Sequence, residues 1–311
     1  MISPALSTTD RMKVLITGAN GQLGQALIAL APTNYEVIAL SRRQLDITDR
    51  TTVLDRIGEL KPDWVINAAA YTAVDRAEQE VEQAFAVNGQ APGYLAEALA
   101  NTGGRLLHIS TDFVFDGQRS TPYPPTAPPN PLNVYGESKL MGEQMVQTCL
   151  GDASLIVRTA WVYDGTHRNF VTTMLRLMEE QQEVRVVADQ VGTPTATSTL
   201  ANTLWLGIRQ RWYGIYHATD AGIATWYDFA VAIQHYGRQL NLLEHSVPIV
   251  PITTAEFPTT ACRPAYSVLD KSSTWEQLQE LPLHWQPVLY EQLLGLMMDG
   301  SARTLGAYQC S

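Results

Sequence analysis

The first half of the chain alternates short apolar runs with amphipathic stretches. The run at 13–17 precedes a glycine-rich turn and a helical pattern over 22–31. Further strands are predicted at 35–40, 64–67, 105–110 and 154–159, and further helices near 51–60, 81–101, 135–149 and 169–182. Strands separated by helices of this length are typical of βαβ units, in which right-handed crossovers place helices on both faces of a parallel sheet. The predicted fold class is therefore α/β, a doubly wound parallel (Rossmann) sheet.

The second half of the chain is less regular. A segment at 121–133 contains six prolines and predicts an extended loop, because proline fits neither a helix interior nor a central strand. Helices are predicted at 198–211 and 226–240, but without regular βαβ spacing. We therefore expect a smaller irregular C-terminal lobe that faces the sheet.

The length of 311 residues suggests two domains at about 150 residues each. We expect a sheet domain over 12–160, to which some later strands return, and mainly the smaller lobe over 161–299. Residues 1–11 lack the charged start and apolar middle of a signal peptide, so we interpret them as a disordered lead, with Met12 as an alternative true start. Residues 300–311 form a predicted tail.

Composition excludes several classes of function. The net charge is −10 and no basic run occurs, which argues against nucleic acid or an anionic membrane as the main partner. No apolar stretch reaches the roughly 18 residues that a membrane span needs. The three cysteines lie far apart, which argues against a disulfide scaffold or a cysteine-based zinc site. We expect a cytoplasmic protein.

A glycine turn follows the first predicted strand. Gly18 allows a tight turn, Gly21 lets the backbone approach a pyrophosphate, and Gly24 allows the helix to pack closely on the strand. The helix N-terminus would then face the phosphates. The spacing differs from the usual Gly-x-Gly-x-x-Gly and could mark a turn without a ligand. Its position directly after the first strand favours a dinucleotide site.

The second predicted strand ends without the acid that usually binds the adenosine ribose. It ends in Ser41, Arg42 and Arg43, and the first acid is Asp46. A pair of guanidinium groups suits a 2′-phosphate, which favours NADPH over NADH as the cofactor. The alternative is that both arginines are solvated surface charges.

Tyr135 and Lys139 lie one helical turn apart at the start of a predicted helix. A tyrosine with its ordinary pKa of about 10 is a poor acid at neutral pH. A neighbouring ammonium would stabilise the phenolate and lower that pKa, so the pair predicts a proton donor. Thr111, at the end of a predicted strand, could hydrogen-bond a substrate carbonyl oxygen, or it could serve only the turn.

Further motifs follow in order along the chain. They are 67–75, 110–117, 131–139, 158–163, 189–195, 225–228 and 262–264. Together with the glycine turn they resemble the extended short-chain dehydrogenase/reductases, and more narrowly the dTDP-4-dehydrorhamnose reductases, over roughly residues 12–299. The resemblance implies NAD(P)H-dependent reduction of the C4 ketone of dTDP-6-deoxy-L-lyxo-4-hexulose to dTDP-L-rhamnose, a nucleotide-sugar substrate, and NADPH as the preferred cofactor with NADH as the alternative.

The resemblance also implies roles for individual residues. Tyr135 would donate the proton, Lys139 would hold the nicotinamide ribose and lower the pKa of the tyrosine, and Thr111 would bind the sugar oxygen. The residues implied along the cofactor are Gly18, Asn20, Gly21, Gln22, Leu23, Gly24, Ser41, Arg42, Arg43, Asp46, Ile47, Ala68, Ala69, Ala70, Tyr71, Tyr135 and Lys139. The residues implied on the substrate side are Thr111, Trp161, Asn169 and Arg263. The alternative for Trp161, as for Trp226, is aromatic core.

The sequence departs from the family pattern at several positions. Pro125 and Ala127 stand where members often carry acids. Ala26 and Ser198 stand where the glutamates of magnesium-bridged dimers would fall, and neither is a suitable ligand for such a cation. We therefore expect no metal, and a monomer or a weak homodimer. Tyr71 stands where many members have histidine.

Other functions use the same fold. A related dehydratase would need a glutamate as base where this chain has Phe113, which disfavours that activity. A nucleotide-sugar epimerase stays an alternative, although the arginine pair argues against it. A non-catalytic NADP-binding regulatory subunit is the other alternative.

Overall fold

The computed structural model describes residues 11–278 and 282–298. The predicted lead, except Arg11, and the predicted tail lie outside these residues. The strands are β1 Met12–Thr17, β2 Tyr35–Leu40, β3 Trp64–Asn67, β4 Arg105–Thr111, β5 Ser154–Thr159, β6 Val162–Tyr163, β7 Val184–Val187, β8 Val191–Gly192, β9 Thr195–Ala196, β10 Gly214–His217, β11 Ala224–Thr225 and β12 Ile249–Ile252. The helices are α1 Gln22–Ala29, α2 Arg50–Leu60, α3 Val74–Ala77, α4 Val81–Phe85, α5 Ala91–Thr102, α6 Val134–Leu150, α7 Phe170–Glu180, α8 Thr197–Gln210, α9 Trp226–Gln239, α10 Ser272–Trp275 and α11 Trp285–Met298.

Six parallel strands form the central sheet. Their order is β10-β5-β4-β3-β1-β2, and every neighbouring pair is parallel. Strand β2 is added on one side of β1, whereas β3 and the later strands are added on the other side. The strand order therefore reverses between β1 and β3. Ligands bind beyond the carboxyl ends of the strands at such a reversal. The predicted fold class is confirmed.

Helices cover both faces of this sheet. Val14, Ile16 and Leu107 pack on one face with Leu200 and Trp205 of α8. The opposite face buries its own strand residues against α2, α5 and α6 in a second cluster. Burial on both sides explains why these strands are near-continuous apolar runs rather than alternating ones.

One predicted helix is interrupted. The pattern over 81–101 forms α4, a single π-helical turn at Ala86–Gln90, and then α5. Pro92 lies in the first turn of α5 and has no N–H to donate to the carbonyl of Asn88, so the regular hydrogen-bond ladder cannot continue there. The ends of the other predicted elements lie within about two residues of those observed.

The C-terminal half builds a core of its own. Helices α7, α9 and α11 pack around Phe229, Leu289 and other buried side chains, with β7 and β12 paired at its edge. Strand β10 leaves this half and extends the central sheet beside β5. The segment 121–133 forms neither a helix nor a strand of several residues. Within it, Tyr123 makes an isolated β-bridge to Leu269. None of the helices described is long and apolar enough to cross a bilayer.

Candidate active site

The three glycines of the turn have different surroundings. Gly18 has φ +70°, and a Cβ there would lie 2.6 Å from the backbone nitrogen of Ala69. A Cβ on Gly24 would lie 2.3 Å from the carbonyl oxygen of Gly18. Gly21 has φ −80°, and its Cβ would meet only the Gly18 oxygen at 3.4 Å. Packing of the protein on itself therefore requires the first and third glycines, whereas the second leaves room on the cavity side.

The glycine-turn cavity lies beyond the ends of β1, β2 and β3 and has a volume of about 470 Å³. The predicted residues that line it are Gly18, Asn20, Gly21, Arg42, Asp46, Ile47, Ala68, Ala69, Ala70 and Tyr71. Residues that the sequence did not single out also line it, namely Leu45, Thr48, Arg76, Glu80, Gln83 and Val87. The glycine turn, apolar side chains such as Ile47 and the guanidinium of Arg42 together fit a nucleotide with its phosphates at the glycine turn.

The two adjacent arginines are not equivalent. The side chain of Arg42 is 75 % exposed, lines the cavity and lies 3.7 Å from the Asp46 carboxylate. Arg43 is exposed but does not line the cavity, and the Ser41 hydroxyl donates to Gln44 at 2.7 Å. The structure therefore brings one guanidinium of the predicted pair to the cavity.

The wall formed by 68–71 is held by side chains from outside the glycine turn. Asn88 accepts from the backbone N–H of Tyr71 at 2.8 Å and donates to its carbonyl oxygen at 2.9 Å. The Tyr71 phenol donates to Glu80 at 2.6 Å, which raises the pKa of the phenol. Asn88 also donates to Ser138 of α6 at 3.1 Å, so the wall is tied to the helix that carries Tyr135.

A second cavity, the Tyr135 cavity, continues from the first along Gly21 and 68–70. Its volume is also about 470 Å³. The other predicted residues that line it are Gln22, Leu23, Thr111, Tyr135, Lys139, Trp161 and Arg263. Four predicted residues line neither cavity, namely Gly24, Ser41, Arg43 and Asn169.

Tyr135 and Lys139 both face this second cavity. Asn133 caps α6 by accepting from the Gly136 N–H at 2.8 Å, which places Tyr135 in the first turn. The Lys139 ammonium donates to the carbonyl oxygen of Ile109 at 2.5 Å. Burial lowers the pKa of Lys139 to about 8. The Tyr135 ring packs edge-on against the ring of Phe113, and the two ring centroids lie 5.9 Å apart. Phe113 is the residue that stands where a dehydratase would need a glutamate.

The pKa of Tyr135 moves opposite to the sequence-based expectation. Burial, helped by the nearby Asp112 carboxyl, raises the pKa of the phenol to about 12, and the Thr111 side chain acts in the other direction. The expected lowering by Lys139 is absent, because the amine is directed to the Ile109 carbonyl and burial dominates. The phenol therefore holds its proton throughout the neutral pH range. Burial also raises the pKa of Asp112 to about 6.

Two stacked indoles form the far wall. Trp161 and Trp226 have ring centroids 3.6 Å apart and an interplanar angle of 10°. Trp161 has φ +47°, a left-handed conformation that costs a bulky residue free energy. A Cβ on Gly192 would lie 2.6 Å from the indole of Trp161. Both indoles are only partly buried and line the cavity, so they are not purely core residues.

Two residues that were predicted to bind the substrate make polar contacts within the protein. Arg263 lines the Tyr135 cavity, and its guanidinium binds both oxygens of Asp75, at 3.1 and 2.6 Å. Asn169 caps α7 and donates to the carbonyl oxygen of Asp164 at 2.8 Å. The structure thus brings Arg263 to the cavity but not Asn169, because the asparagine is used at the helix terminus.

Comparison with known proteins agrees with this architecture. The model of the family described as RmlD substrate binding domain matches residues 12–297. The chain belongs to this family. The family-level resemblance drawn from the sequence motifs is therefore confirmed.

Several RmlD-family relatives match over nearly their whole length. A dTDP-4-dehydrorhamnose reductase of Aggregatibacter actinomycetemcomitans is 45 % identical over 287 residues, covering 89 % of this chain and 97 % of the relative. The spore coat polysaccharide biosynthesis protein SpsK of Bacillus subtilis is 42 % identical over 283 residues, covering 90 % and 96 %. The crystal structure of dTDP-4-dehydrorhamnose reductase from Bacillus anthracis in complex with NADP superposes with a TM-score of 0.87 at 36 % identity, covering 92 % of this chain and all of that one.

The positions at which this chain departs from the RmlD-family pattern have structural roles. Ala127 is buried beside Phe115, and the carbonyl oxygen of Pro125 accepts from Arg158 at 3.3 Å. Ser198 accepts from Gln292 of α11 at 3.0 Å, and Ala26 of α1 packs against the apolar cluster that includes side chains of α8. The expectations about metal and oligomeric state stay predictions.

Proposed function

We propose that the protein reduces the C4 ketone of dTDP-6-deoxy-L-lyxo-4-hexulose to dTDP-L-rhamnose, with NADPH as the hydride donor and Tyr135 as the proton donor. The observation that carries this proposal is the shared cavity of Thr111, Tyr135 and Lys139, which continues into the glycine-turn cavity. A dinucleotide lying along both cavities would bring its nicotinamide towards Tyr135. The reductase names of the relatives support the same class of reaction.

The residues present fit NADPH. Gly21 leaves space for a pyrophosphate at the N-terminus of α1, and Arg42 offers an exposed guanidinium to a 2′-phosphate. When bound there, NADPH supplies the hydride. Lys139 is placed to hold the nicotinamide ribose, since its ammonium lies at the junction of β4 and α6 and lines the Tyr135 cavity.

Reduction of a ketone adds a hydride to carbon and a proton to oxygen. The Tyr135 phenol keeps its proton until negative charge develops on the sugar O4, because its pKa is about 12. The O–H bond then breaks, the proton moves to O4, and the phenolate is stabilised by the Thr111 hydroxyl, which acts to lower the pKa of the phenol. Arg263, which Asp75 holds in place, lines the cavity where a nucleotide diphosphate would lie and would pair with it.

The decisive experiment supplies the purified protein with the dTDP-4-keto sugar and either NADPH or NADH. We expect loss of NADPH absorbance and formation of a product that co-elutes with dTDP-L-rhamnose. A matched reaction without the sugar nucleotide controls for slow oxidation of the cofactor. Tight NADPH binding without turnover would support the regulatory alternative instead, and epimerised sugar without net consumption of NADPH would support the epimerase.

A further inference from the structure

The face of α6 that carries Tyr135 and Lys139 continues to a third polar residue. Glu143 lies one further turn along, so the three side chains follow an i, i+4, i+8 spacing. Lys139 and Glu143 are each only 2 % exposed. This stripe places a buried carboxylate beside the buried ammonium, deeper in the protein than the phenol.

Glu143 forms a paired ion contact with β5. Arg158, also 2 % exposed, donates from Nε to Oε1 at 2.8 Å and from Nη2 to Oε2 at 2.7 Å. A buried ion pair gives little net stability, because desolvation of both groups offsets their attraction. Its retention next to the reacting groups therefore calls for a role other than stability.

We propose that Glu143, oriented by Arg158, is a positioning residue that keeps the Lys139 ammonium charged beside the nicotinamide ribose. The inference rests on the proposed function for its last step, the hold of the Lys139 ammonium on the nicotinamide ribose. Glu143 itself does not contact the cavity.

The charges around Lys139 support this role. Burial lowers the pKa of Lys139 to about 8, and the Glu143 carboxylate acts against this fall. On β4, His108 is kept neutral, because burial and the Lys139 charge lower its pKa. Beyond β4, Asp112 has a pKa raised to about 6, and on β5 the Arg158 charge is paired with Glu143. Loss of the Glu143 charge would therefore lower the pKa of Lys139 towards neutrality.

Arg158 also ties this stripe to the proline-rich segment. Its guanidinium donates to the carbonyl oxygen of Pro125 at 3.3 Å and lies 5.1 Å from the ring centre of Phe115. Both contacts fix the guanidinium independently of Glu143. Because the guanidinium also donates to both oxygens of Glu143, the carboxylate is held in one orientation.

The test measures the NADPH dissociation constant from about pH 6 to about pH 10, a range that spans the titration of Lys139. Since the charged amine binds the ribose, affinity should fall as pH rises through its pKa, with a break near pH 8 in the unmodified protein. In Glu143→Gln the break should move down by about one pH unit or more. The ionisable groups of NADPH titrate alike with both proteins. A difference in the pH of the break between the two proteins therefore comes from a group of the protein. Glu137→Gln removes an exposed carboxylate from the same helix and should not move the break.

Each outcome decides for or against the role. An unmoved break in folded Glu143→Gln, or no break near pH 8 in the unmodified protein, overturns it. If Glu143→Gln does not fold, Glu143→Gln with Arg158→Met removes both buried charges and should show a smaller downward shift, because the repulsion between Arg158 and Lys139 is lost as well. Because binding is measured without the sugar, a failed reductase assay overturns the proposed function alone, whereas an unmoved break in an active enzyme overturns this inference alone.

Discussion

The two cavities differ in how they are built. The glycine-turn cavity is made largely of the three short stretches that directly follow β1, β2 and β3, together with side chains from 76–87, and the side chain of Arg42 in its wall is 75 % exposed. The Tyr135 cavity is made of side chains from distant parts of the chain, and its Asp112 and Lys139 are buried. Backbone shape suffices to hold a phosphate group. Proton transfer, in contrast, needs side chains whose pKa values are shifted by removal from water.

The largest effect is expected from Tyr135→Phe. Without the phenolic proton, turnover should fall by about 10²- to 10⁴-fold, the usual contribution of a general acid, while NADPH affinity stays near normal. Steady-state rates and cofactor titration measure the two effects separately. Tyr163→Phe is the matched control, because that buried hydroxyl has no hydrogen-bond partner among the described residues and lies in the core of the lobe. Near-normal turnover in Tyr135→Phe would show that another group supplies the proton.

The next largest effects are expected from substitutions in the glycine turn, where Gly24 should affect stability and Gly21 should affect cofactor binding. In Gly24→Ala the new methyl group would clash with the Gly18 carbonyl oxygen, so we expect the free energy of unfolding to fall by about 2 kcal/mol and Tm by roughly 3 °C. In Gly21→Ala the Cβ meets the protein only at 3.4 Å, so Tm should hardly change while NADPH affinity falls. Thermal unfolding without cofactor and NADPH titration test both variants. Equal NADPH affinity in Gly21→Ala and the unmodified protein would place the pyrophosphate elsewhere.

The smallest effect concerns the choice of dinucleotide. Arg42→Ala should weaken NADPH on the order of tenfold and leave NADH nearly unchanged, because a charge-assisted contact to the 2′-phosphate is lost. Arg43→Ala is the control and should change neither affinity much, since Arg43 does not line the cavity. If Arg42→Ala weakens both dinucleotides equally, no 2′-phosphate is bound there.

Most of the fold could be predicted because it depends on local periodicity. Strands buried on both faces read as apolar runs, and the six proline residues at 121–133 rule out helix within a single segment. The interruption at Ala86–Gln90 was missed, although Pro92 was a visible signal for it. The return of β10 to the sheet was expected only in general terms, because pairing partners far apart in sequence leave no local pattern.

The site could be predicted only in part. Motif positions led to the Tyr135–Lys139 pair and to the glycine turn, because each of them is a short local motif. The predicted direction of the Tyr135 pKa shift was wrong: the pKa is raised by burial, and burial depends on packing that no motif encodes. The Asp75–Arg263 contact spans 188 positions and had no signal beyond two separate motifs. The sequence could not reveal that Asn169 caps α7, since a helix cap and a ligand-binding amide look alike in a sequence.

The position of β10 limits how the molecule can be divided. This strand comes from the C-terminal half, yet it completes the sheet by pairing along β5, and α8, just before it, covers one sheet face. A fragment that stopped at residue 160 would present the open hydrogen-bonding edge of β5 and a bare apolar surface, which favours aggregation. Separate production of the two halves, or exchange of one half between homologues, would therefore have to carry 197–217 with the N-terminal piece.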